Sequence, residues 1–211
     1  MDSEVDRAVD ASKSRTLDRA RLDYRVIADW IRPEASVLDL GCGDGELLSI
    51  LVKEKRVRAN GIEIDEQAIY KCVEKGLSVF HEDIEEGLSG YPDESFDYVI
   101  MIGSLQQVKK PDSVFKEALR VGKKLIVGFP NFSHYSSRVQ MLFSGKVPVT
   151  PSLPYQWYDT PNLHFLSISD FREYCKLRSL KIEASAFLSH EKRVGLLPNL
   201  LAEQGLFLLS K

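Results

Sequence analysis

The chain has 211 residues, 44% of them hydrophobic, which suits one α/β domain with a sizeable core. Its 28 Lys and Arg against 31 Asp and Glu give a formal charge of -3, so no long-range positive field attracts nucleic acid or an anionic membrane. The cysteines Cys42, Cys72 and Cys175 lie far apart and form no C-x-x-C pair, so we expect neither a metal site nor a disulfide framework.

The chain begins with a polar segment that has no apolar signal region, and no later run is long enough to span a membrane. We therefore expect a cytoplasmic protein with a flexible extension at residues 1–16 and a single domain over residues 17–211. The first predicted helix covers about residues 17–31, and Pro33 stops it before the first strand.

A glycine-rich loop follows the predicted strand at 36–40. Asp39 ends that strand, and Gly41, Gly43 and Gly45 then lead into a helix near 45–55. Such glycines allow positive φ and let a ligand approach the backbone at a helix N-terminus. Glu46 stands where a dinucleotide-binding loop has its third glycine, and its charge opposes a pyrophosphate. The loop therefore favours a cationic cofactor without phosphate, although a plain tight turn is the alternative.

These residues resemble motif I of the class I S-adenosylmethionine-dependent methyltransferases. Glu63 lies about 20 residues after the loop, where a doubly wound fold places the acid that binds the ribose. The resemblance implies that Asp83 receives the adenine amino group and that Ile84 packs on the ring. Cys42 is interpreted as a small residue packed under the cofactor rather than as a nucleophile. The full predicted cofactor set is Asp39, Gly41, Cys42, Gly43, Gly45, Glu63, Ile64, Asp83, Ile84, Gly103, Ser104 and Leu105, with Gln106 just beyond.

Strands and helices alternate along the first 130 residues. Strands are predicted near 36–40, 58–64, 78–81, 96–102 and 123–129, with helices near 45–55, 66–75 and 112–120. A long segment at 131–166, rich in aromatics and prolines, is predicted to form a lid. Ser167 and Asp170 indicate a capped helix at 168–178, and strands near 180–187 and 205–210 follow. We predict a doubly wound α/β fold with a mostly parallel seven-stranded sheet, helices on both faces and a terminal antiparallel hairpin.

The lid segment (residues 131–166) carries a narrower resemblance. Its Pro130-Asn131-Phe132-Ser133-His134 run and its stretch from Leu153 to His164, taken with the glycine loop, resemble the MetW family of methionine biosynthesis proteins over residues 22–190. The resemblance implies a role in methionine biosynthesis with homoserine O-acetyltransferase as the partner, on a methyltransferase fold.

Two functions stay open at this point. A regulatory domain would bind S-adenosylmethionine and act on the acetyltransferase through differential affinity for its two states. An enzyme would transfer the methyl group to a small-molecule acceptor and release S-adenosylhomocysteine, mainly by alignment. For the enzyme, His164 is the candidate base, and Asn131, Tyr158 and Asn162 are candidate orienting groups. Each of the four has the alternative role of holding the lid segment to the domain.

Overall fold

A computed structural model describes residues 21–190 and 192–211. The strands are β1 Ser36–Leu40, β2 Arg58–Glu63, β3 Ser78–His81, β4 Phe96–Ile102, β5 Gly122–Pro130, β6 Lys181–Ser189, β7 Lys192–Arg193 and β8 Gln204–Ser210. The α-helices are α1 Leu22–Trp30, α2 Glu46–Lys55, α3 Glu66–Glu74, α4 Pro111–Val121, α5 Tyr135–Ser144, α6 Ile168–Leu177 and α7 Pro198–Leu201, with 3₁₀ turns at Gly87–Gly90 and Leu105–Gln107. The predicted extension at 1–16 and the first residues of the predicted helix at 17–31 lie outside the described residues.

The strands form one sheet in the order β3-β2-β1-β4-β5-β8-β6-β7. β1 pairs in parallel with both β2 and β4, so the chain leaves β1 toward one side of the sheet and returns on the other. Ligands of such sheets bind outside the carboxyl ends of the strands at this switch point. The glycine loop follows β1, and Gly103 follows β4, so both lie at that position. The predicted doubly wound, mostly parallel sheet is confirmed.

Beyond β5, neighbouring strands of the sheet pair in antiparallel orientation. β8 pairs with β5 from Leu125↔Leu209 to Pro130↔Gln204, and β6 pairs with β8. The predicted terminal hairpin is thus confirmed, but the predicted number of seven strands is wrong, because eight strands are seen among the described residues. The additional strand, β7, has two charged residues and no hydrophobic alternation that would reveal it.

Side chains of β1 alternate between two cores, as the two-residue period of a strand requires. Leu38 and Leu40 belong to a core shared with α4 and α6, whereas Val37 belongs to a core shared with α1 and α2. The helices therefore cover both faces of the sheet, as predicted. Phe129 on β5 and Phe207 on β8 are fully buried in the first core, with ring centroids 5.9 Å apart.

Two helices lie where none was predicted. The lid segment contains α5, and α7 precedes β8. The predicted cap of α6 is confirmed, since the Ser167 side chain accepts from the backbone N–H of Asp170 and the Asp170 side chain accepts from that of Ser167. None of the helices in the described ranges is long and apolar enough to cross a membrane.

Candidate functional site

The glycine loop adopts the backbone conformation that its sequence predicts. Gly41, Gly43 and Gly45 have φ of 80°, 55° and 74°. A Cβ on Gly41 would lie 2.9 Å from the Ser104 Cβ, so only glycine fits beside β4. A Cβ on Gly43 would meet nothing within 4 Å, because Gly43 borders open space. Gly45 instead faces Leu77 and Cys72 and is the N-cap of α2.

Glu63 closes this loop from the end of β2. Its Oε2 accepts from the Gly43 N–H at 2.8 Å, and its Oε1 accepts from the N–H groups of Ile64 at 2.8 Å and Asp65 at 3.0 Å. A carboxylate offers about four acceptor positions, so three backbone bonds fix its orientation and leave one position, on Oε2, for a ligand hydroxyl. A ribose at this position would add to or displace the bond from Gly43.

A cleft of about 790 Å³ opens at the switch point of the sheet, and we call it the main cleft. Its walls include eight of the twelve predicted cofactor residues, namely Gly41, Gly43, Glu63, Ile64, Asp83, Ile84, Gly103 and Ser104. The Ser104 hydroxyl is turned away from a ligand, since it donates to the Leu40 carbonyl at 2.7 Å. The structure thus brings two thirds of the predicted set to one opening.

The remaining four predicted cofactor residues are not among the residues that line the main cleft. Asp39 is buried, and burial together with the charge of Glu63 raises its pKa to about 7. Cys42 is also buried, which raises the pKa of its thiol and opposes a nucleophilic role. Gly45 packs inside the protein, and Leu105 is 3% exposed in the core shared with α4 and α6.

Charges around the main cleft are predominantly negative. Four carboxylates line it, from Glu63, Glu82, Asp83 and Glu85, against two cations, Arg21 and Lys109. Arg21 is already paired with Asp23, its Nη2 lying 2.6 Å from Oδ2. Such a surface favours a ligand with positive charge over a pyrophosphate.

Glu82 is a cleft residue that the sequence prediction missed. Its Oε2 is buried and has no hydrogen-bond partner among the described residues, whereas the neighbouring Asp83 is exposed and accepts from the Glu85 N–H at 2.9 Å. A buried carboxylate oxygen without a donor is costly, so Glu82 is the better acceptor for a ligand N–H. The acidic run at 82–86 gave no basis for choosing between these two neighbours.

A second opening of about 590 Å³, which we call the side cavity, adjoins the main cleft through Arg21, Ile102 and Gly103. Residues from the ends of β5, β6 and β8 form much of its wall. Pro151 and Ser152 of the lid segment also line it, and Tyr155 lines the main cleft. The middle of the lid segment therefore borders both openings.

The structure does not bring the four predicted catalytic side chains together in either opening. Asn131 is buried, its Nδ2 donates to the carbonyls of Asn199 and Ala202, and its Oδ1 accepts from two backbone N–H groups. His164 lines a separate apolar cavity of about 190 Å³ with Leu105 and Phe115. Tyr158 is 70% exposed, and Asn162 is half-buried. Their catalytic roles stay predictions, and this geometry does not favour them.

Among the residues that the structure describes, no three His, Cys, Asp or Glu side chains lie close enough together to hold a metal ion.

The family model and the curated relative that match this chain both name the same family. The sequence model of the family described as methionine biosynthesis protein MetW matches residues 21–209. The bifunctional methionine biosynthesis protein MetXA/MetW of Rhodopirellula baltica is 32% identical over 175 residues, which are 79% of this chain and 28% of that relative. The chain thus spans less than a third of the length of that curated relative.

Solved structures show the same fold at low identity. A methyltransferase dependent on S-adenosylmethionine from Archaeoglobus fulgidus superposes with a TM-score of 0.66 at 17% identity, covering 96% of this chain and 94% of the other. A second one, from Thermotoga maritima, has a TM-score of 0.64 at 20% identity, covering 93% and 91%. These likenesses show the methyltransferase fold predicted from the glycine loop.

Proposed function

Because this chain belongs to the MetW family of methionine biosynthesis proteins, we propose that it binds S-adenosylmethionine in the main cleft and acts with homoserine O-acetyltransferase. The observation that carries the proposal is the cleft at the switch point, bordered by Gly43 and Glu63 and dominated by carboxylates.

The residues present fit this cofactor. Gly43 leaves open space beside the loop, and Glu63 lies next to it for the ribose hydroxyls. Glu82 offers an unpartnered oxygen to the adenine amino group, with Ile84 as an apolar contact in the same wall. The excess of carboxylates suits a sulfonium cation and an ammonium group. When bound, the cofactor supplies an activated methyl group, and this chain holds and orients it.

The support for homoserine O-acetyltransferase as the partner is the relative from Rhodopirellula baltica, whose name joins MetXA and MetW in one bifunctional protein. Two proteins joined in one relative are candidates to act together when they are separate chains. The lid segment offers a surface for such a partner, because it exposes a series of large apolar side chains. They include Val139, Leu142 and Phe143 of α5 and Trp157 and Tyr158 beyond it, and Phe143 is 82% exposed.

Cofactor binding is tested by calorimetric titration with S-adenosylmethionine. Glu63→Ala should weaken binding about tenfold or more, since it removes a charged hydrogen-bond acceptor from the cleft. Glu63→Gln removes the charge but keeps one acceptor oxygen, for Gly43 or for Ile64 and Asp65, so its comparison with Glu63→Ala shows how much of the loss comes from the bonds that hold the loop. Glu74→Ala makes the same change at an exposed position outside the cleft and should leave the affinity unchanged. Absence of binding by the unmodified protein would refute this part of the proposal.

The partner is tested separately, by the rate of homoserine acetylation with and without one equivalent of this protein. A clear rise supports an activating subunit, and dependence of that rise on S-adenosylmethionine would make the cofactor a regulator. The substitution Phe143→Ser, which should lower the activation without altering cofactor affinity, locates the contact on α5. An unchanged acetylation rate would refute the partnership.

A second candidate function is methyl transfer to a small molecule. The side cavity favours it, because that space meets the main cleft at Gly103 and could hold an acceptor next to the cofactor. The test is whether S-adenosylhomocysteine accumulates when the protein is incubated with S-adenosylmethionine and candidate acceptors. Under the sequence prediction, His164→Ala abolishes turnover and leaves cofactor affinity intact. Full turnover in that variant would remove His164 from the reaction.

A further inference from the structure

The wall of the side cavity contains polar residues that do not line the main cleft. Strand pairing brings them there, because Pro130 of β5 pairs with Gln204 of β8, and Gln204 pairs with Leu188 of β6. The antiparallel strands therefore place the beginning of β8 and the end of β6 at the same edge as the carboxyl end of β5. His190 and Glu203, next to these strand ends, are thereby brought to one wall of the cavity.

Glu203 is firmly held in that wall. Its backbone N–H donates to the Leu188 carbonyl at 2.8 Å, and its own carbonyl accepts from the Asn131 N–H at 2.7 Å. Its Oε2 accepts from the His190 N–H at 2.9 Å and lies 3.1 Å from His190 Nδ1. The Glu203 side chain is only 16% exposed, whereas that of His190 is 78% exposed. The carboxylate is therefore positioned by the fold before any ligand arrives.

A second polar residue of the wall lacks a partner. Gln106 is 6% exposed, and its Oε1 is buried without a hydrogen-bond partner among the described residues. Its backbone carbonyl accepts from the N–H groups of Leu163 and His164 at 2.8 and 3.1 Å, which anchors the residue under the lid segment. A buried acceptor in this state calls for a donor, from a ligand or a water.

The charge of the cavity is negative once existing pairs are counted. Arg21 lines it, but Nε and Nη2 of Arg21 both donate to Asp23, at 3.2 and 2.6 Å. Beside Glu203 lie His190 and the buried His134, which interacts electrostatically with its carboxylate. The rest of the wall includes Tyr24, Ile102 and Phe129, which suit a short hydrocarbon chain.

We propose that the side cavity binds a small ligand carrying a protonated amine, whose N–H groups donate to the Glu203 carboxylate and the Gln106 side chain. An ammonium group supplies three donors and a positive charge, which both acceptors favour. The ligand is either a simple amine or an amino acid, and an amino acid would place its carboxylate toward the remaining N–H donors of Arg21. This inference does not depend on binding of S-adenosylmethionine.

The test is calorimetric titration of the whole protein with three probes: L-homoserine, 3-amino-1-propanol, which lacks the carboxylate, and N-acetyl-L-homoserine, which lacks the ammonium. We expect L-homoserine to bind with a dissociation constant of about 1 mM or tighter and the acetylated probe to bind at least about tenfold more weakly. Equal binding of 3-amino-1-propanol identifies the site as one for amines in general, and binding of homoserine alone identifies it as one for amino acids.

Amino-acid substitutions test whether the amine binds in the side cavity. Glu203→Gln keeps the size of the side chain and should weaken amine binding about tenfold or more, whereas Glu173→Gln on the exposed surface of α6 should not. Ser152→Phe obstructs the cavity from the lid segment and gives a second, independent loss if Glu203→Gln impairs folding. Glu63→Gln, in the main cleft, should leave amine binding unchanged, which separates this proposal from cofactor binding.

Three results would overturn the inference: no binding of either amine, equal affinity for the acetylated probe, or undiminished amine binding in both Glu203→Gln and Ser152→Phe. Failure of S-adenosylmethionine to bind, with amine binding retained, would refute the proposed cofactor and leave this site intact.

Discussion

The substitution Asp39→Asn should stabilise the protein, and the gain should grow as the pH rises. Asp39 is 3% exposed on β1, and burial, with a smaller contribution from the charge of Glu63, raises its pKa from 3.8 to about 7. Between these pH values the folded chain therefore binds more protons than the unfolded chain. The stability contributed by the protonated carboxyl is complete below pH 3.8 and is lost as the pH rises through about 7.

The size of the effect follows from the two pKa values of Asp39. At about 1.4 kcal/mol for each pKa unit, ionising Asp39 in the folded protein costs about 4 kcal/mol of the free energy of unfolding at pH 8 and above. More than half of this cost, about 2–3 kcal/mol, develops between pH 5 and pH 8. Asparagine cannot ionise, so the variant avoids that loss.

The assay is urea unfolding of both proteins without ligand at pH 5 and pH 8. The free energy of unfolding of Asp39→Asn minus that of the unmodified protein should rise by about 2–3 kcal/mol between the two pH values. Asp97→Asn is the control, because the Ser36 N–H, at 3.1 Å, and other bonds hold the pKa of Asp97 below its usual value. Asp97 is then ionised in both states from pH 5 to 8, and its variant should show no such rise. An equal difference at both pH values for Asp39→Asn would refute the reasoning.

Three further predictions concern the glycine loop, the lid segment and the cap of α6. Gly43→Ala should fold but lose about 1 kcal/mol of the free energy of unfolding, because of its positive φ alone, and it should also lose cofactor affinity. Gly45→Ala should lose more of the free energy of unfolding, because its Cβ would lie 2.5 Å from Leu77. Thermal melting and titration with S-adenosylmethionine compare the two, and equal melting temperatures would contradict this. Asn131→Ala should lower the free energy of unfolding, measured with urea, by about 2–4 kcal/mol, because it leaves buried backbone groups without partners. Lost turnover at an unchanged free energy of unfolding would instead support the predicted catalytic role of Asn131. Ser167→Ala should cost about 1 kcal/mol by the same assay, and an unchanged unfolding midpoint would argue against the observed cap.

The parallel half of the fold could be predicted because its signals are local. β1, β4 and β5 contain short apolar runs, and the glycines that precede α2 mark the turn into that helix. The helix α5 was missed because its sequence follows a run of aromatic and polar residues without a strong cap, and His134 at its N-cap makes no side-chain capping bond. Its apolar residues Tyr135, Val139, Leu142 and Phe143 follow a helical spacing, so the sequence did hold this one signal of the helix, although all four side chains are exposed.

The two openings differ in the same way, because the main cleft could be predicted from the sequence and the side cavity could not. Residues of the main cleft follow β1, β2, β3 and β4, where chain order and the rules of parallel sheets together predict a shared edge. The side cavity depends on Glu203 and His190, which lie 100 and 87 residues beyond Gly103 along the chain. They reach it only because β8 is inserted between β5 and β6, and no spacing in the sequence encodes that order.

The catalytic roles of the candidates chosen by residue chemistry stay predictions for a related reason. His164 and Asn131 carry groups able to move or orient a proton, but such groups act only where their side chains face a ligand. The backbone N–H of His164 is bound by Gln106, while its ring lies at a separate apolar cavity, and the amide of Asn131 is used by backbone partners. Gln106, one turn after Gly103, combines a fixed backbone with an unsatisfied buried side chain in the wall of the side cavity. In this fold an unpaired polar atom beside an opening is therefore stronger evidence of a binding role than the type of residue that carries it.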